Sequence, residues 1–399
     1  MRVNLIFDFL GRGINNFRMR KIKHKPPRHV AFAYVGPLGT RGRLLKQIAT
    51  LQAAGVSCEL IHGSPEPDAP NPDDFSFPFQ SIPVDLDSGK ICSFYNQMKF
   101  GRKASKIIAA SKADAVVCVA IDALMAGVWA KKIRPGLRMI FDNNELHIES
   151  FGSSLKRRVW KLVHNYGVKR CDVILHAEKN RLEYFQQHYP GKDTPQYVIE
   201  NFPWYEDKVP ERPSPDEVVK IIYLGGFGNN RFTEEIVDIF SKFDQSIQLD
   251  IVGFGRESYV DSIKERIKGA SRGNVRVLPA VPYRDIPKLL ENYHIGVALY
   301  RNTNLNNYYC APNKVYDYLM NGMPVIANRY PGLVSVLEEN KVGACIDEVS
   351  FEAVEKAINS ILEEKRWNNI NDDLRRKYSW EKQEAGYLDI LGLESPRVE

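Results

Sequence analysis

The stretch CAPNKVYDYLMNGMPVIAN, residues 310–328, sets polar side chains at the start of a predicted short helix. Pro312 suits the first helical position, because proline lacks the N–H group that would be unpaired there. Gly322 suits the end of the helix, and Pro324 prevents its continuation. The first turns of a helix carry free backbone N–H groups that can hold an anion. The polar side chains placed beside such an anion are Asn313, Lys314 and Asp317.

A glycine-rich turn, GGFGNNRF, follows a predicted apolar strand and is a second candidate for binding an anion. Gly225 and Gly226 let the backbone approach a ligand closely, because glycine has no Cβ. Arg231 carries a planar guanidinium that holds phosphate oxygens through two parallel hydrogen bonds. The alternative is that these glycines only turn a strand into a helix, since a Gly-x-Gly pattern alone is a weak signal.

Three further groups of residues follow predicted strands in the N-terminal half. Gly36 and Gly39 form a turn after the first strand, which either approaches a ligand or simply joins strand to helix. Asp122 follows the strand AVVCVAI and is either a candidate general base or the N-cap of the next helix. Another strand is followed in FDNNEL by Asp142, Asn143, Asn144 and Glu145, and one or more of these four are expected to face a cleft.

The length and composition limit the class of protein. With 399 residues the chain is too long for one ordinary core, so two domains are expected. Its 44% hydrophobic and 26% charged residues are typical of a soluble globular protein. No run reaches the about 18 apolar residues of a spanning helix, and six scattered cysteines without a C-x-x-C pair fit a reducing compartment. We therefore expect a cytoplasmic protein.

The net charge of +6 is concentrated at the N-terminus. Residues 1–28 hold eight Arg or Lys and one Asp, which leaves a net charge of −1 for residues 29–399. A body without a broad basic face argues against nucleic-acid binding. The leader also has apolar residues at helical spacing before its cationic block, which suits an anionic membrane surface. A second basic stretch, SSLKRRVWKLVHNYGVKR, places Trp160 beside cationic residues and suits the same surface. The alternatives are packing against the body or a partner subunit for the leader, and a solvated helix face for the second stretch.

Short apolar strands alternate with longer helical patterns in both halves of the chain. This alternation predicts right-handed βαβ units and parallel sheets. Residues 200–217 are rich in Pro and charge and are expected to link two domains. The predicted fold class is α/β, with two Rossmann-like doubly wound parallel-sheet domains facing a cleft in which ligands bind. We expect a basic amphipathic leader at 1–28, an N-terminal domain at 29–205 and a C-terminal domain at 206–377.

The order of these features resembles the family-four type of GT-B glycosyltransferases over roughly residues 29–395. The motifs that carry the resemblance are IIYLGGFGNNRFTEEIVDIF, LDIVGFG, NVRVLPAVPYRDIPKLLENYHIGVALY, APNKVYDYLMNGMPVIA and YSWEKQEAGYLDIL, with YVGPLGTRGR and MIFDNNEL in the N-terminal half. The resemblance implies that a sugar nucleotide binds the C-terminal domain and an acceptor the N-terminal domain. It also implies that the last helix, residues 378–395, crosses back onto the N-terminal domain.

The same resemblance implies roles for single residues. A family glutamate at the position of Asp317 binds ribose, and the carboxylate here can accept hydrogen bonds from both hydroxyls of the diol. A second family glutamate, near the sugar, is Tyr309 in this chain, so that contact is absent or replaced. Arg231 is expected to face the diphosphate, and Lys314 to supply a cation that the family places at Gly226.

The expected reaction moves a sugar from a nucleoside-diphosphate sugar, with UDP favoured, to a glycan or lipid-linked acceptor in cell-surface polysaccharide or glycolipid synthesis. If the reaction inverts, Asp122 or Glu145 is the candidate base; if it retains, the departing phosphate can take the acceptor proton. No metal or cofactor is expected, because no His, Cys or carboxylate cluster has ligand spacing. The protein is expected on the inner face of the membrane if it is peripheral. The alternatives are a sugar-nucleotide 2-epimerase and a catalytically silent binding partner.

Overall fold

The computed structural model describes residues 25–36, 38, 42–64, 76–85, 89–150, 154–191, 193–210, 218–228, 231–270, 272–310 and 312–394. Most of the leader, residues 1–24, lies outside this part of the chain, and so do Gly39 and residues 211–217 of the expected linker. The described strands form two parallel sheets, one in each half of the chain.

The N-terminal half contributes the strands of the first sheet. These are β1 His29–Val35, β2 Ser57–Ser64, β3 Phe79–Pro83, β4 Ala115–Val119, β5 Arg138–Asn143, β6 Val173–His176 and β7 Gln196–Val198. They lie in the order β3-β2-β1-β4-β5-β6-β7, and every pair is parallel. The winding of the chain reverses between β1 and β4, which opens a crevice at the carboxyl ends of these two strands.

Helices cover both faces of this first sheet. They are α1 Gly42–Ala53, α2 Gly89–Ala110, α3 Ala120–Ile133, α4 His147–Ser150, α5 Ser154–Val168 and α6 Lys179–His188. One face packs against α2, α3 and α5 through a core that includes Phe100, Leu124 and Trp160. The opposite face packs against α1, where Leu44 and Ile48 are buried.

The C-terminal half repeats the arrangement with a second sheet. Its strands are β8 Val219–Leu224, β9 Ile247–Gly253, β10 Val275–Pro279, β11 Ile295–Ala298, β12 Val325–Asn328 and β13 Gly343–Ile346. They lie in the order β10-β9-β8-β11-β12-β13, again all parallel, with the reversal between β8 and β11. The prediction of two doubly wound parallel-sheet domains is therefore confirmed.

The helices of the C-terminal half pack on both faces of the second sheet, with the exception of the last helix. They are α7 Thr233–Phe240, α8 Glu257–Ala270, α9 Ile286–Leu290, α10 Leu305–Tyr308, α11 Asn313–Met320, α12 Pro331–Leu337, α13 Phe351–Glu363, α14 Asp372–Lys377 and α15 Trp380–Leu391. Short 3₁₀ turns at Tyr283–Asp285 and Arg366–Asn369 complete this half.

The last helix, α15, packs on the first sheet instead. Trp380 is fully buried, and its Nε1 donates a hydrogen bond to Oγ1 of Thr50 in α1 over 2.9 Å. Arg138 of β5 donates to the carbonyl oxygens of Ile390 and Leu391 over 2.6 and 3.0 Å. These bonds satisfy carbonyl groups that a helix end leaves unpaired. The last described helix thus packs on the sheet that the N-terminal half forms.

Element ends and weakly apolar strands differ from the sequence predictions. Pro312 is the N-cap of α11, with φ −72° and ψ 133°, and not its first helical residue. Gly322 follows α11 with φ +71°, the left-handed conformation that favours glycine after a helix. The edge strand β3 is not predicted from the sequence, because most of its residues are exposed and it has no continuous apolar run.

A buried ion pair fixes α1 against the centre of the first sheet. The side chain of Asp142, at the end of β5, is 0% exposed. Its Oδ1 accepts a hydrogen bond from Nη2 of Arg43 over 2.8 Å, and its Oδ2 accepts from Nε of Arg43 and from Nε2 of Gln47, each over 3.0 Å. A buried charge is tolerated when a counter-charge and hydrogen bonds surround it. Asp142 therefore serves the packing of α1 on β5.

We predict that Asp142→Ala lowers the free energy of unfolding by about 3–5 kcal/mol, because it leaves the Arg43 guanidinium buried without its counter-charge. Urea unfolding followed by circular dichroism measures the change. Glu145→Ala is the matched control, because that side chain is 40% exposed; we expect a change of no more than about 0.5 kcal/mol. Equal stability of the two variants would contradict the structural role of Asp142.

Candidate active site

A cavity of about 380 Å³ lies between the carboxyl ends of the two sheets. The N-terminal half contributes residues that follow β4, β5 and β6, and the C-terminal half contributes residues that follow β8 and β11 together with the start of α11. Both strand-order reversals therefore open onto the same space. The sequence-predicted site residues that line it are Glu145, Gly225, Gly226, Arg231, Asn313 and Lys314.

Lys314 brings a positive charge from α11 to the turn after β8. Its Nζ lies 4.0 Å from the ring centroid of Tyr223 and 5.3 Å from that of Tyr300. The Nζ atom is buried, and no hydrogen-bond acceptor of the described residues contacts it. Burial lowers the pKa of this ammonium well below its usual value, and the nearby charge of Arg231 lowers it further. An ammonium in this position is available to an anionic ligand.

Arg231 lies beside Lys314 in the same wall of the cavity. Its guanidinium is 4.2 Å from the ring centroid of Tyr300, and its backbone forms an isolated bridge with that residue. The carbonyl oxygen of Arg231 accepts a hydrogen bond from Nε of Arg301 over 3.0 Å, which fixes the backbone of the turn. Two positive side chains therefore point from different elements to one place, and each rests on an aromatic ring.

The glycines of the turn permit this close arrangement. Gly225 has φ +125°, a conformation that side chains disfavour, and a Cβ there would lie 3.2 Å from Nζ of Lys314. Its backbone N–H donates to the carbonyl of Val252 in β9 over 3.0 Å. Gly226 follows in ordinary conformation, and a Cβ there would make only van der Waals contact with Phe254, 3.8 Å from its carbonyl oxygen. A ligand can thus approach the backbone of this turn from the cavity.

Asp317 lies one turn further along α11 and does not line the cavity. The residue is 8% exposed, and Oδ1 accepts a hydrogen bond from the hydroxyl of Tyr283 over 2.9 Å. Burial raises the pKa of this carboxyl to about 6, against the opposing effects of Tyr283 and of Lys46 in α1. Its expected contact with ribose stays a prediction, and Tyr283 is the group that a ribose hydroxyl would have to replace or join.

The candidate catalytic carboxylates occupy three different environments. Glu145 lines the cavity, and its Oε2 lies 3.8 Å from Nδ1 of His147. Asp142 does not line the cavity, because its carboxylate is held inside the domain by Arg43. Asp122 is not a lining residue either, and it lies in the first turn of α3, whose N-cap is Val119. The N-cap alternative for Asp122 is therefore wrong.

The glycine turn after β1 is described only in part. Gly36 has φ +128°, and its carbonyl accepts a 2.6 Å hydrogen bond from Nε2 of His62. It does not line the cavity, and Gly39 lies outside the described residues. Their expected contact with a ligand stays a prediction.

Tyr309 does not present its side chain to the cavity. Its ring centroid lies 5.0 Å from that of Tyr308 and 5.9 Å from that of Tyr184. Its carbonyl accepts a 2.7 Å hydrogen bond from Nε of Arg181, whose other nitrogens donate to the carbonyls of Asn144 and Asn306 over 2.7 and 3.0 Å. This guanidinium joins α6 to the loop that carries α10, and so connects the two walls.

Several cavity residues are not found by reasoning from the sequence. Arg181 and Asn201 line the cavity, but neither stands in a recognisable pattern. The role of Arg181 depends on carbonyl groups 37 to 128 residues away in the chain. No group of three or more His, Cys, Asp or Glu side chains in the described residues could hold a metal ion.

Comparisons with known proteins agree with this architecture. Residues 205–382 match the family described as glycosyl transferases group 1. No curated protein sequence is significantly similar to the chain. Among solved structures, sucrose-phosphate synthase from Thermosynechococcus elongatus superposes with a TM-score of 0.73 and 14% identity over 91% of this chain and 98% of that one.

Two further solved structures contain a nucleotide. Anabaena Alr3699/HepE in complex with UDP and glucose has a TM-score of 0.69 and 13% identity over 92% of this chain and 99% of that one. The E. coli trehalose-6-phosphate structure bound with UDP-2-fluoro glucose has a TM-score of 0.67 and 13% identity over 92% and 100%. At such identities the likeness establishes the fold.

The residues that match the family, 205–382, include Arg231 and Lys314. The solved structures match both sheets together, since they cover more than nine-tenths of the chain. The sheet order and the solved structures therefore lead to one conclusion: the chain has the two-domain fold of the GT-B glycosyltransferases, and its residues 205–382 match the glycosyl transferases group 1 family.

Proposed function

We propose that this protein transfers a sugar from a UDP-sugar to a glycan or lipid-linked acceptor, in the synthesis of a cell-surface polysaccharide or glycolipid. The observation that carries the proposal is the buried Nζ of Lys314, which has no acceptor and lies beside Arg231 at a glycine turn. An unpaired buried ammonium costs free energy, and a diphosphate would supply the missing oxygens. Two structural neighbours were solved with UDP and glucose and with UDP-2-fluoro glucose, which supports the choice of a UDP-sugar as donor.

We assign donor binding and acceptor binding to opposite walls of the cavity. Residues 206–377 bind the donor through Gly225, Gly226, Arg231, Asn313 and Lys314, with Asp317 at the ribose. Residues 29–205 bind the acceptor, and Gly36 and Gly39 lie on that side.

The chemical step needs stabilisation of the departing diphosphate. Negative charge grows on the phosphate oxygens as the bond to the sugar breaks, and two fixed cations in a shielded cavity stabilise it. Glu145 is the only carboxylate among the described lining residues, so it is our candidate base if the reaction inverts. If the reaction retains, a departing phosphate oxygen held by Lys314 takes the acceptor proton.

The two alternative functions make different demands on the cavity. A 2-epimerase needs several acid and base groups around the sugar, and Glu145 is the one carboxylic acid on the described wall. A silent binding partner would hold the nucleotide without turnover. Product formation from a UDP-sugar only when an acceptor extract is added separates transfer from both alternatives.

We predict that Lys314→Met and Arg231→Met each weaken binding of UDP by about 10- to 100-fold, because each removes a charge-assisted hydrogen bond worth about 1.5–3 kcal/mol. Isothermal titration calorimetry measures the affinity. Lys264→Met is the matched control, since its side chain is 53% exposed on α8 and away from the cavity.

Loss of folding cannot mimic this result for Lys314, because replacing an unpaired buried ammonium with an apolar side chain relieves a desolvation cost. We therefore expect Lys314→Met to unfold at or above the temperature of the unmodified protein. Unchanged UDP affinity in both Lys314→Met and Arg231→Met would refute the assigned diphosphate site.

We also predict that the affinity for UDP-glucose passes through a maximum as the pH is varied. The carboxyl of Asp317 has a pKa raised to about 6 and is expected to bind ribose when ionised, so affinity falls as the pH drops through 6. The lowered pKa of Lys314 rises again beside a diphosphate, so binding takes up a proton and weakens at alkaline pH. Asp317→Asn should abolish only the acidic limb, and Lys314→Met only the alkaline limb. An affinity of the unmodified protein for UDP-glucose that does not change with pH would contradict both assignments.

We propose further that the protein is cytoplasmic and meets an anionic membrane through the outer side of α2 and α5. These two helices contain basic residues and no acidic residue. Phe94 of α2 and Trp160 of α5 are 5.2 Å apart between ring centroids, so the helices are neighbours. Leu155 and Leu162 of α5 are each 71% exposed. Positive charge around exposed apolar side chains is typical of surfaces that bind anionic lipid.

Most of the basic leader lies outside the described residues, and its membrane contact stays a prediction. No described helix combines the length and the apolar character needed to cross a bilayer.

We predict that Arg158→Glu combined with Leu162→Ser reduces co-sedimentation with phosphatidylglycerol vesicles about tenfold, because each basic residue near such a surface contributes about 1 kcal/mol. Both side chains are exposed, so the fold should be unaffected. Lys268→Glu on α8, 72% exposed, makes the same charge change elsewhere and should leave sedimentation unchanged. If both variants pellet like the unmodified chain, the α2 and α5 surface does not bind the membrane.

A further inference from the structure

Two asparagine side chains on the N-terminal wall have hydrogen-bonding capacity that the protein does not use. Asn144 follows β5 and Asn201 follows β7, and both line the cavity. Each has a buried amide oxygen that no donor contacts. Buried polar atoms are nearly always paired, so each unpaired one calls for an explanation.

The backbone around both residues is held in place. The carbonyl of Asn144 accepts a 2.7 Å hydrogen bond from Nη1 of Arg181. On either side of Asn201, Arg43 donates to the carbonyl of Ile199 and Lys46 donates to the carbonyl of Phe202. Two cations of α1 thus fix the segment in which Asn201 stands. The amides are presented to the cavity by a rigid frame, and only their terminal torsions remain to adjust.

Other polar groups of the wall are already engaged. Arg43 is paired with Asp142, and Arg181 is bonded to three carbonyls. Oδ1 of Asn306 accepts from the backbone of Leu146, and the amide of Asn307 donates to the carbonyl of Arg301. Of the asparagines on the described wall, Asn144 and Asn201 have a buried oxygen still to be satisfied.

We propose that Asn144 and Asn201 bind hydroxyl groups of the sugar carried by the donor. The inference rests on the proposed function, which anchors the diphosphate at Lys314 and Arg231 on the opposite wall and so directs the sugar toward the N-terminal wall. An amide both accepts and donates, and so does a hydroxyl, so the two groups match in either orientation of the amide. The pair takes the place of a carboxylate at Tyr309, whose side chain is turned away from the cavity.

A structural role and a sugar-binding role predict opposite effects on stability. A structural asparagine loses partners when it is replaced, and the protein is destabilised. Replacing an amide whose oxygen is buried and unpaired removes a desolvation cost instead. Asn144→Leu and Asn201→Leu keep the branched shape of the side chain and delete its polar atoms.

The test compares UDP with UDP-sugars in the same calorimetric titration. UDP-glucose, UDP-galactose and UDP-N-acetylglucosamine are the probes, and the quantity of interest is the affinity of the tightest-binding sugar nucleotide divided by that of UDP. We expect Asn144→Leu and Asn201→Leu each to lower this ratio about tenfold and to leave the affinity for UDP within about twofold, since a lost hydrogen bond is worth about 1 kcal/mol. Their unfolding temperatures should not fall. Asn292→Leu, an exposed position away from the cavity, is the control and should change neither quantity.

The outcomes separate this inference from the proposed function. If UDP binds but no sugar nucleotide binds more tightly, or if the ratio is unchanged in both variants, the sugar contact is refuted and the diphosphate site stands. Equal losses for UDP and its sugars would also refute it, because the asparagines would then act on the nucleotide or on the fold. If UDP and all three UDP-sugars fail to bind the unmodified protein, the proposed donor site and this inference fail together.

Discussion

The cavity between the two sheets is organised by two positive side chains that lie close together on one wall. Lys314 and Arg231 arrive from different elements, and their mutual repulsion contributes to the lowered pKa of the lysine. Such an arrangement costs free energy in the unliganded protein and persists only because the surrounding fold fixes it. Gly225 holds the turn open, and the rings of Tyr223 and Tyr300 support the cations. Under the proposed function, the diphosphate of the donor offsets that cost.

Two other arginines that line the cavity, Arg43 and Arg181, are held by hydrogen bonds within the protein. Arg43 is neutralised by Asp142, and Arg181 is surrounded by three carbonyl oxygens, so both are structural cations. Arg181 ties α6 to the loop of α10, and α15 ties the end of the chain back to the first sheet. These contacts set the relative position of the two walls. The positive charges of Lys314 and Arg231 thus lie on one wall, opposite the amides of Asn144 and Asn201.

The sequence predicts the parts of this arrangement that depend on neighbours in the chain. The parallel sheets follow from the alternation of apolar strands with helices, and α11 follows from Pro312, Gly322 and the spacing between them. Gly225 and Lys314 stand in such local patterns and do line the cavity. Asp142 shows the limit: it stands at a strand end like Glu145 does, but a residue 99 positions away buries it in an ion pair. Arg181 and Asn201 act through contacts distant in sequence, which a local pattern cannot show.

Amides in place of a carboxylate change the electrostatic potential on the sugar side of the cavity. A carboxylate beside the sugar would accept hydroxyl hydrogen bonds strongly, but it would also offset the cations that are needed when the diphosphate departs. Neutral amides hold hydroxyls more weakly and leave the positive potential at Lys314 and Arg231 intact. Glu145 then remains the only negative group on the described wall, and its half-exposed position keeps its charge partly screened by water. The cavity thus gives up some ground-state affinity for the sugar and keeps its capacity to stabilise the leaving group.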